Sequence, residues 1–321
     1  MTIDVLASMP HYRDHLAPIW AALPDELRGT WWGPYGRRVD RSFTANTSGV
    51  LLVAGALDRV KAAPGRPVVL LEHGAGQSYD GDPSGARHAS YSGGADWQAA
   101  VGFLCPSERV ADRWRAAYPG AEAVAVGCPR LDRWHGHRPL RTLRPVVAFT
   151  FHWDCALVPE TRSAWAHYER AMPAIVAELR GAGWSVVGHS HPRWKSALAR
   201  RWHELGVPYV ASLEEVMETA DVLVADNTSA LYEFAATGRP VVALNAPWYR
   251  RDVEHGLRFW SHVPGVQADD PSMVAAAVRA AAADHPSIRE KREAVVAHVY
   301  GTLDGHATQR AVDALVRWAS R

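Results

Sequence analysis

The sequence predicts an α/β protein with two doubly wound parallel sheets, and two observations support this fold class. Short apolar runs rich in Val, Ile and Leu alternate with longer amphipathic stretches, which is typical of parallel strands joined by helical crossovers. A polar, arginine-rich segment with two prolines at 134–145 interrupts this pattern and predicts a linker. We therefore expect two Rossmann-like domains with a cleft between them, at the carboxyl ends of their strands.

Each half contains a series of strands and helices. In the first half, strands are predicted at 3–7, 50–54, 68–72, 102–105 and 123–126, and helices at 11–22, 56–62 and 107–117. In the second half, strands are predicted at 146–150, 185–188, 209–210, 222–225 and 241–244, and helices at 160–180, 196–205, 213–219 and 229–236. Residues 272–321 are predicted to be mostly helical, in about three pieces. The expected domains are 1–140 and 141–305, with a terminal helix at 306–321 that packs back on the first domain.

Composition argues against several classes of protein. The 35 Lys and Arg residues nearly cancel the 34 Asp and Glu residues, so no global field favours nucleic acid or an anionic membrane. Three cysteines lie far apart, without the paired spacing of a disulfide framework or a zinc ribbon. No apolar run approaches the roughly 20 residues that span a bilayer, and the first residues do not resemble a signal peptide. We therefore expect a soluble, cytoplasmic protein without a transmembrane segment.

The most informative segment is 220–245, where an apolar strand ends in Asp226, Asn227, Thr228 and Ser229 and a helix follows at once. Ser229 or Thr228 can cap this helix, and the free N–H groups at its start can bind a diphosphate. The same residues also fit an ordinary N-cap, and local chemistry alone does not separate the two interpretations. One turn later, Glu233 either accepts a hydrogen bond from a ribose or glycerol hydroxyl or is a solvated acid favoured by the helix dipole.

Two histidines and an arginine follow the strand predicted at 185–188. His189 and His191 would point the same way on an extended segment, which fits a metal site, but the spacing supplies no third ligand. We therefore favour His191 and Arg193 as donors to a phosphate, where an imidazole and a guanidinium stabilise the charge of a leaving group. In the alternative interpretation, one of the two histidines only packs in the core.

In the first half, the strand predicted at 68–72 is followed by His73, Gly74 and Gly76. Glycines directly after a strand let a backbone approach a ligand, and His73 would project into the cleft. An imidazole in this position can take a proton from a hydroxyl group at neutral pH. The segment does not match GxGxxG, so it does not predict a dinucleotide site.

Two further strand ends are expected to face the cleft. Arg130 and Asp132 lie in the segment GCPRLD, where they either face a ligand or form a structural ion pair with each other. His152 and Trp153 follow the first strand of the second half, in the segment FTFHWD. We expect them to line the pocket for a nucleotide, with Trp153 stacked on the base.

Taken in order, these segments resemble the CDP-glycerol glycerophosphotransferase family of teichoic-acid primases and polymerases, and more distantly the UDP-N-acetylglucosamine 2-epimerases. EHGAGQSY is similar to the family's His-Gly-Thr-Pro loop, GCPRLD to its Gly-x-Pro-Arg-x-Asp, and ADNTSALYEF to its Asp-Tyr-Ser-Ser strand and helix. LDGHATQRAVDAL is similar to its terminal Asp-Gly-x-Ala-x-x-Arg helix start. The sequence departs from the family at Ala75, Gly76 and Asn227, which puts the acceptor and donor pockets in doubt.

The resemblance implies a GT-B fold and a transferase that moves a glycosyl or glycerophosphoryl group from a nucleotide-activated donor, CDP-linked or UDP-linked, to a hydroxyl acceptor. It implies no tightly bound metal or cofactor, a C-terminal domain that holds the donor and an N-terminal domain on the acceptor side. His73 would be the base, and His191, Thr228 and Ser229 would hold the donor phosphates.

Several questions stay open at this stage. The acceptor is a polymer, a glycoside or a modified nucleic acid such as a hydroxylated DNA base, since the Arg-rich stretch 133–144 and Arg37–Arg38 can form a local basic face. Oligomerisation is equally open. The alternative functions are a 2-epimerase and a catalytically silent nucleotide-binding protein. An epimerase needs several carboxylates in the cleft, and the sequence offers few candidates: Glu72, Asp132, Asp226 and Glu233.

Overall fold

The computed structural model describes residues 1–59, 61–73, 97, 100–135, 144–155, 159–251 and 262–320. Spatial proximity divides the chain into two compact units, the first formed by Met1–His135 with Ala297–Arg321 and the second by Gly136–Val296. Each unit is built on a parallel sheet, so the predicted fold class of two parallel-sheet α/β domains is confirmed. The domain limits expected at residues 140 and 305 stay predictions, because proximity alone does not define a folding unit.

In the described part of the first unit, six parallel strands lie in the order β2-β1-β3-β4-β5-β6. They are β1 (Ile3–Leu6), β2 (Arg28–Trp32), β3 (Val50–Val53), β4 (Val68–Leu71), β5 (Ala100–Cys105) and β6 (Glu122–Ala125). The helices between them are α1 (Pro10–Ala22), α2 (Arg41–Ala45), α3 (Ala56–Arg59) and α4 (Glu108–Ala117), and a 3-10 segment follows at Pro129–Trp134. Strand order reverses between β1 and β3.

In the described part of the second unit, five parallel strands lie in the order β11-β10-β9-β7-β8. They are β7 (Val146–Phe151), β8 (Ser185–Ser190), β9 (Val222–Ala225), β10 (Val241–Leu244) and β11 (Val266–Ala268). The helices that follow β7 in the chain are α5 (Trp165–Tyr168), α6 (Met172–Gly181), α7 (Lys195–Glu204), α8 (Leu213–Thr219), α9 (Ala230–Ala235), α10 (Val274–Ala282), α11 (Pro286–Tyr300) and α12 (Ala307–Ala319). The last of them, α12, belongs to the first unit. No helix in the described residues is long and apolar enough to cross a membrane.

The strands of the first unit are buried on both faces of the sheet. Ile3 and Val5 of β1 pack in one apolar cluster with residues of α1 and α12, whereas Leu6 packs in a second cluster with Trp114 of α4. This burial on both faces explains why the strands appear in the sequence as continuous apolar runs rather than alternating ones.

Gly102 on β5 lies against the buried indole ring of Trp318 on α12. A Cβ atom at this position would lie 2.5 Å from a carbon of that ring, well inside van der Waals contact. Gly102→Ala is therefore expected to lower the free energy of unfolding by about 1–3 kcal/mol through overpacking, measured by urea denaturation. Gly120→Ala is the matched control, because Gly120 has open space around it and should change stability by less than about 0.5 kcal/mol. Equal effects of the two substitutions would contradict the packing argument.

The structure corrects several local predictions. Strands β2 and β11 and helix α2 were not predicted, because they are short and their apolar residues follow no clear period. The strand predicted at 209–210 is only an isolated bridge between Gly188 and Tyr209. The helix predicted at 160–180 is divided into α5, a 3-10 turn and α6, since Pro173 at the start of α6 has no N–H group with which to continue a preceding helix.

Candidate functional site

The carboxyl ends of three neighbouring strands bring the predicted polar residues of the second unit together. His152 and Trp153 follow β7, His191 and Arg193 follow β8, and the Asp226–Ser229 turn follows β9. Strand order reverses between β7 and β9, so this edge contains the topological switch point of the sheet. Ligands of open α/β sheets bind in the crevice at such a point, which makes this cluster the candidate site of the second unit.

Asp226 is completely buried and accepts hydrogen bonds on both carboxylate oxygens. One oxygen accepts from the backbone N–H of His152 at 2.7 Å. The other accepts from the Ser163 hydroxyl at 3.0 Å and the backbone N–H of Ala164 at 2.9 Å. The carboxylate therefore ties the backbone at His152 and at Ala164 to the end of β9. In the described structure, both of its oxygens face protein donors.

Burial raises the pKa of Asp226 to about 6, and the hydrogen bonds from His152, Ala164 and Ser163 oppose that shift. The group is consequently still a carboxylate at neutral pH, which is the form that accepts all three hydrogen bonds. Sequence analysis missed Ser163, because no local pattern marks a serine that bonds to a residue 63 positions away.

Of the two residues predicted to cap α9, Thr228 and not Ser229 accepts a hydrogen bond there. Ser229 occupies the cap position but has helical backbone angles and makes no side-chain cap bond. Instead, Oγ1 of Thr228 accepts from the backbone N–H of Ala230 at 3.4 Å. Asn227 and Thr228 are buried, and Ser229 is the most exposed residue of the turn. Because α9 has only six residues, its dipole is small, and a bound phosphate would depend on nearby N–H groups and cationic side chains.

Glu233 on α9 is 2% exposed. The interpretation of Glu233 as a solvated first-turn acid is therefore wrong, because the side chain faces the protein interior. Its assignment to a donor hydroxyl stays a prediction.

His152 is held as a neutral imidazole. Its Nδ1 lies 3.0 Å from the carbonyl oxygen of Thr161, so Nδ1 carries the proton and donates it, which leaves Nε2 as an acceptor. Burial lowers the pKa of His152 to about 4, and the positive charge of Arg193 lowers it further, while the hydrogen bonds with Thr161 and Trp153 act in the opposite direction. His152 is therefore suited to accept a hydrogen bond rather than to bind an anion as a cation.

His191 has the complementary arrangement. Its Nδ1 accepts from the backbone N–H of Arg193 at 3.2 Å, so a neutral ring carries its proton on Nε2 and can donate. The ring lies 5.3 Å from that of His152, centroid to centroid. The guanidinium of Arg193 lies 4.7 Å from the ring centroid of Trp153, in a cation–π contact. The four side chains thus combine a hydrogen-bond donor, a hydrogen-bond acceptor, a cation and an aromatic face, supplied in that order by His191, His152, Arg193 and Trp153.

His189 is the packed member of the histidine pair. It is buried on β8 opposite Thr150 of β7, and its Nδ1 contacts the Thr150 hydroxyl. Within the described residues, no group of three or more His, Cys, Asp or Glu side chains could hold a metal ion.

In the first unit, His73 lies at the carboxyl end of β4 and packs against α1. Its ring centroid is 5.7 Å from that of His11, 5.0 Å from that of Tyr12 and 5.5 Å from that of His15. Burial lowers the pKa of His73 to about 4; a hydrogen bond to the backbone of Ala54 opposes this, and the charge of Arg130 adds to it. Sequence analysis missed the three α1 residues, although the i, i+4 spacing of His11 and His15 places both on one helix face.

The other residues predicted for the acceptor side, Arg130 and Asp132, have separate structural environments. Arg130 is buried and lies 3.7 Å from the carboxylate of Asp14. Asp132 accepts from the backbone N–H groups of Ala307 at 3.0 Å and Thr308 at 2.7 Å and so caps α12. The alternative of an Arg130–Asp132 ion pair is therefore wrong. The predicted residues Gly74 and Gly76 lie outside the described residues.

Residues 166–317 match the family model of CDP-Glycerol:Poly(glycerophosphate) glycerophosphotransferase. The matched range contains His191, Arg193 and the Asp226–Ser229 turn. The C-terminal part of the chain is similar to this family. The resemblance inferred from the motifs is confirmed, and the glycerophosphotransferase match makes the chain a transferase that uses a nucleotide-activated donor.

Several solved structures share the fold of this chain at low sequence identity. The wall teichoic acid polymerase TagF matches with a TM-score of 0.65 and 13% identity, over 99% of this chain and 89% of that chain. S. aureus MnaA, in a co-structure with UDP, has a TM-score of 0.64 and 12% identity, over 100% and 97%. The UDP-GlcNAc 2-epimerase of Neisseria meningitidis has a TM-score of 0.56 and 12% identity, over 99% and 100%. These likenesses show the GT-B type of fold. No curated protein matches the chain.

Proposed function

We propose that the chain transfers a glycerophosphoryl group from a CDP-linked donor to a hydroxyl group of a phosphate-containing polymer, without a metal ion. The observation that carries this proposal is the cluster of His152, His191, Arg193 and the Asp226–Ser229 turn at the switch point of the second sheet. All of these residues except His152 lie within the range that the family model matches. The family description names CDP-glycerol and poly(glycerophosphate), which favours this donor and a polymer over a glycoside or a DNA base. A variant of TagF was likewise soaked with CDPG.

Each side chain of the second unit has a proposed task toward the donor. Nε2 of His191 and the guanidinium of Arg193 donate to the diphosphate, together with Ser229 and Thr228 and the backbone at the start of α9. Nε2 of His152 accepts from a donor hydroxyl or amino group, because its Nδ1 is already bonded to Thr161. Trp153 offers an aromatic face to the base. Glu233 is the second candidate for a hydroxyl of the donor.

The proposed reaction breaks one P–O bond and forms another. The acceptor oxygen attacks the phosphorus that carries glycerol, its proton moves to His73, and CMP leaves with the bridging oxygen. His191 and Arg193 stabilise the negative charge that develops on this leaving group, so the cationic side chain takes the part that a metal ion has in other phosphoryl transfers. Arg130, Asp132, Gly74 and Gly76 stay assigned to the acceptor side.

Calorimetric titration of the whole protein tests the donor site. We expect CDP-glycerol to bind more tightly than CDP-ribitol, UDP-sugars or GDP-sugars, with equal affinity in the presence of EDTA. Arg193→Gln should weaken CDP-glycerol binding roughly tenfold, since it removes a charge-assisted hydrogen bond. Arg200→Gln on the exposed face of α7 is the matched control and should bind normally. Absence of binding by every nucleotide would overturn the proposal, and binding without turnover would instead favour a silent binding protein.

A UDP-N-acetylglucosamine 2-epimerase is the second candidate, because the Neisseria meningitidis enzyme of that name shares the fold. Proton abstraction and return at a sugar carbon require carboxylates that face the substrate. In this chain, Glu72 accepts from the indole N–H of Trp114 and pairs with Arg113, Asp132 caps α12, and Asp226 accepts from the backbone at His152 and Ala164. The environment of these carboxylates therefore favours the transferase. Deuterium at carbon 2 of UDP-N-acetylglucosamine after incubation in deuterium oxide would reverse that preference.

A further inference from the structure

Arg130 brings a permanent positive charge into the buried surroundings of His73. The Pro129–Trp134 segment packs on α1, and the guanidinium of Arg130 is 4% exposed. It interacts electrostatically with the imidazoles of both His73 and His15. Because an arginine cannot release its proton under physiological conditions, each of these rings is close to a charge that disfavours a second positive charge.

The groups that face His73 in the described structure are mostly neutral. Helix α1 contributes His11, Tyr12 and His15, and the end of β3 contributes the backbone of Ala54. On the same strand end as His73, the carboxylate of Glu72 accepts from Trp114 and pairs with Arg113.

Asp14 on α1 is the carboxylate that offsets Arg130. The two charges are 3.7 Å apart, but the Asp14 side chain is 31% exposed, so solvent screens it more than it screens the buried guanidinium. The field at His73 is therefore expected to be positive.

We propose that Arg130 is a positioning residue that acts through charge and, together with burial, favours the neutral, proton-accepting form of His73. This inference rests on the proposed role of His73 as the base. The hydrogen bond to the Ala54 backbone orients the ring, burial makes the largest contribution to keeping the ring neutral, and the charge of Arg130 adds to that contribution. Arg130 itself makes no transfer of a proton or group. When a phosphate-containing acceptor binds on the His73 side, its negative charge offsets that of Arg130 and favours proton transfer to His73 at that stage.

A histidine titration by NMR tests the inference without any substrate. In the full-length protein with labelled histidines, and with the His73 signal assigned from His73→Gln, we expect a titration midpoint near pH 4, in line with the lowered pKa. Arg130→Gln should move this midpoint upward by about one pH unit, and Arg130→Lys, which keeps the charge, should leave it low. His15 should shift in the same direction as His73.

A second measurement leaves Arg130 in place and removes the negative charge of its partner, Asp14. Asp14→Asn removes the carboxylate that offsets Arg130 and should lower the His73 midpoint. Because Asp14 is more exposed than Arg130, this substitution is expected to disturb the fold less than Arg130→Gln. An unchanged His73 midpoint in folded Arg130→Gln, or an unchanged or raised one in Asp14→Asn, would overturn the inference.

Kinetics separates this inference from the proposed function. In Arg130→Gln, the acid limb of the pH profile of kcat at saturating CDP-glycerol should move to higher pH, with a plateau retained at higher pH. If His73→Gln abolishes transfer but Arg130→Gln leaves both the limb and the NMR midpoint unchanged, the base assignment survives and the role of Arg130 fails. If His73→Gln transfers normally while the NMR shifts occur, the base assignment fails and the electrostatic effect alone stands.

Discussion

Replacing His73 with glutamine is expected to lower kcat/KM by about 10²- to 10⁴-fold, the usual contribution of a general base. Glutamine keeps a side chain of similar polarity but cannot take up the proton of the acceptor hydroxyl. The measurement is the initial rate of transfer from CDP-glycerol, together with calorimetric donor affinity, which should be unchanged. His203→Gln, an exposed histidine on α7, is the matched control and should transfer at the normal rate.

The pH dependence of the transfer rate is a second test of His73 as the general base. A base acts in its neutral form, so kcat at saturating CDP-glycerol should stay level between about pH 7 and 5 and fall as the pH drops through the lowered pKa of His73, about 4. Saturating donor is needed because protonation of Asp226, whose pKa is about 6, is expected to weaken donor binding and so lower kcat/KM near that pH. A solvent-exposed imidazole base would instead lose activity near pH 6.5. An acid limb between pH 6 and 7, with the fold intact by circular dichroism, would contradict the environment described for His73.

Replacing Asp226 with asparagine is expected to weaken donor binding by at least about tenfold and to lower the free energy of unfolding by about 2–4 kcal/mol. The carboxylate accepts from three groups, and an amide can accept on only one side while its NH₂ group faces the remaining donors. The segments that hold His152 and Ser163 would lose their common attachment. Donor titration and urea denaturation measure the two effects.

Asp221→Asn is the matched control for Asp226→Asn. Asp221 lies at the opposite end of β9 and accepts from the backbone N–H of Val146 at 2.7 Å, at the amino end of the same strand pair. Asp221→Asn should weaken this hydrogen bond and lower the free energy of unfolding, but it should leave donor affinity near normal. Equal donor affinity in the two variants would mean that Asp226 stabilises the unit without positioning the site.

Much of the candidate site could be predicted from the sequence, since polar residues after apolar runs occur at the carboxyl ends of parallel strands. His152, His191 and the Asp226–Ser229 turn were found this way, and the structure places them at the ends of neighbouring strands. Whether they bind the donor remains a proposal. Sequence pattern did not distinguish a side chain that faces a ligand from one that faces protein, as His189 against Thr150 illustrates.

The sequence by itself determined the element types, the parallel α/β class and the family resemblance, because periodicity and motif order are encoded in neighbouring residues. Tertiary structure decided the strand order, with its switch point between β7 and β9, and the partners of the buried charges. Asp226 meets Ser163, and Asp132 meets Ala307, across long stretches of chain. Such pairs satisfy buried polar groups wherever the fold brings a partner close, so no local period records them.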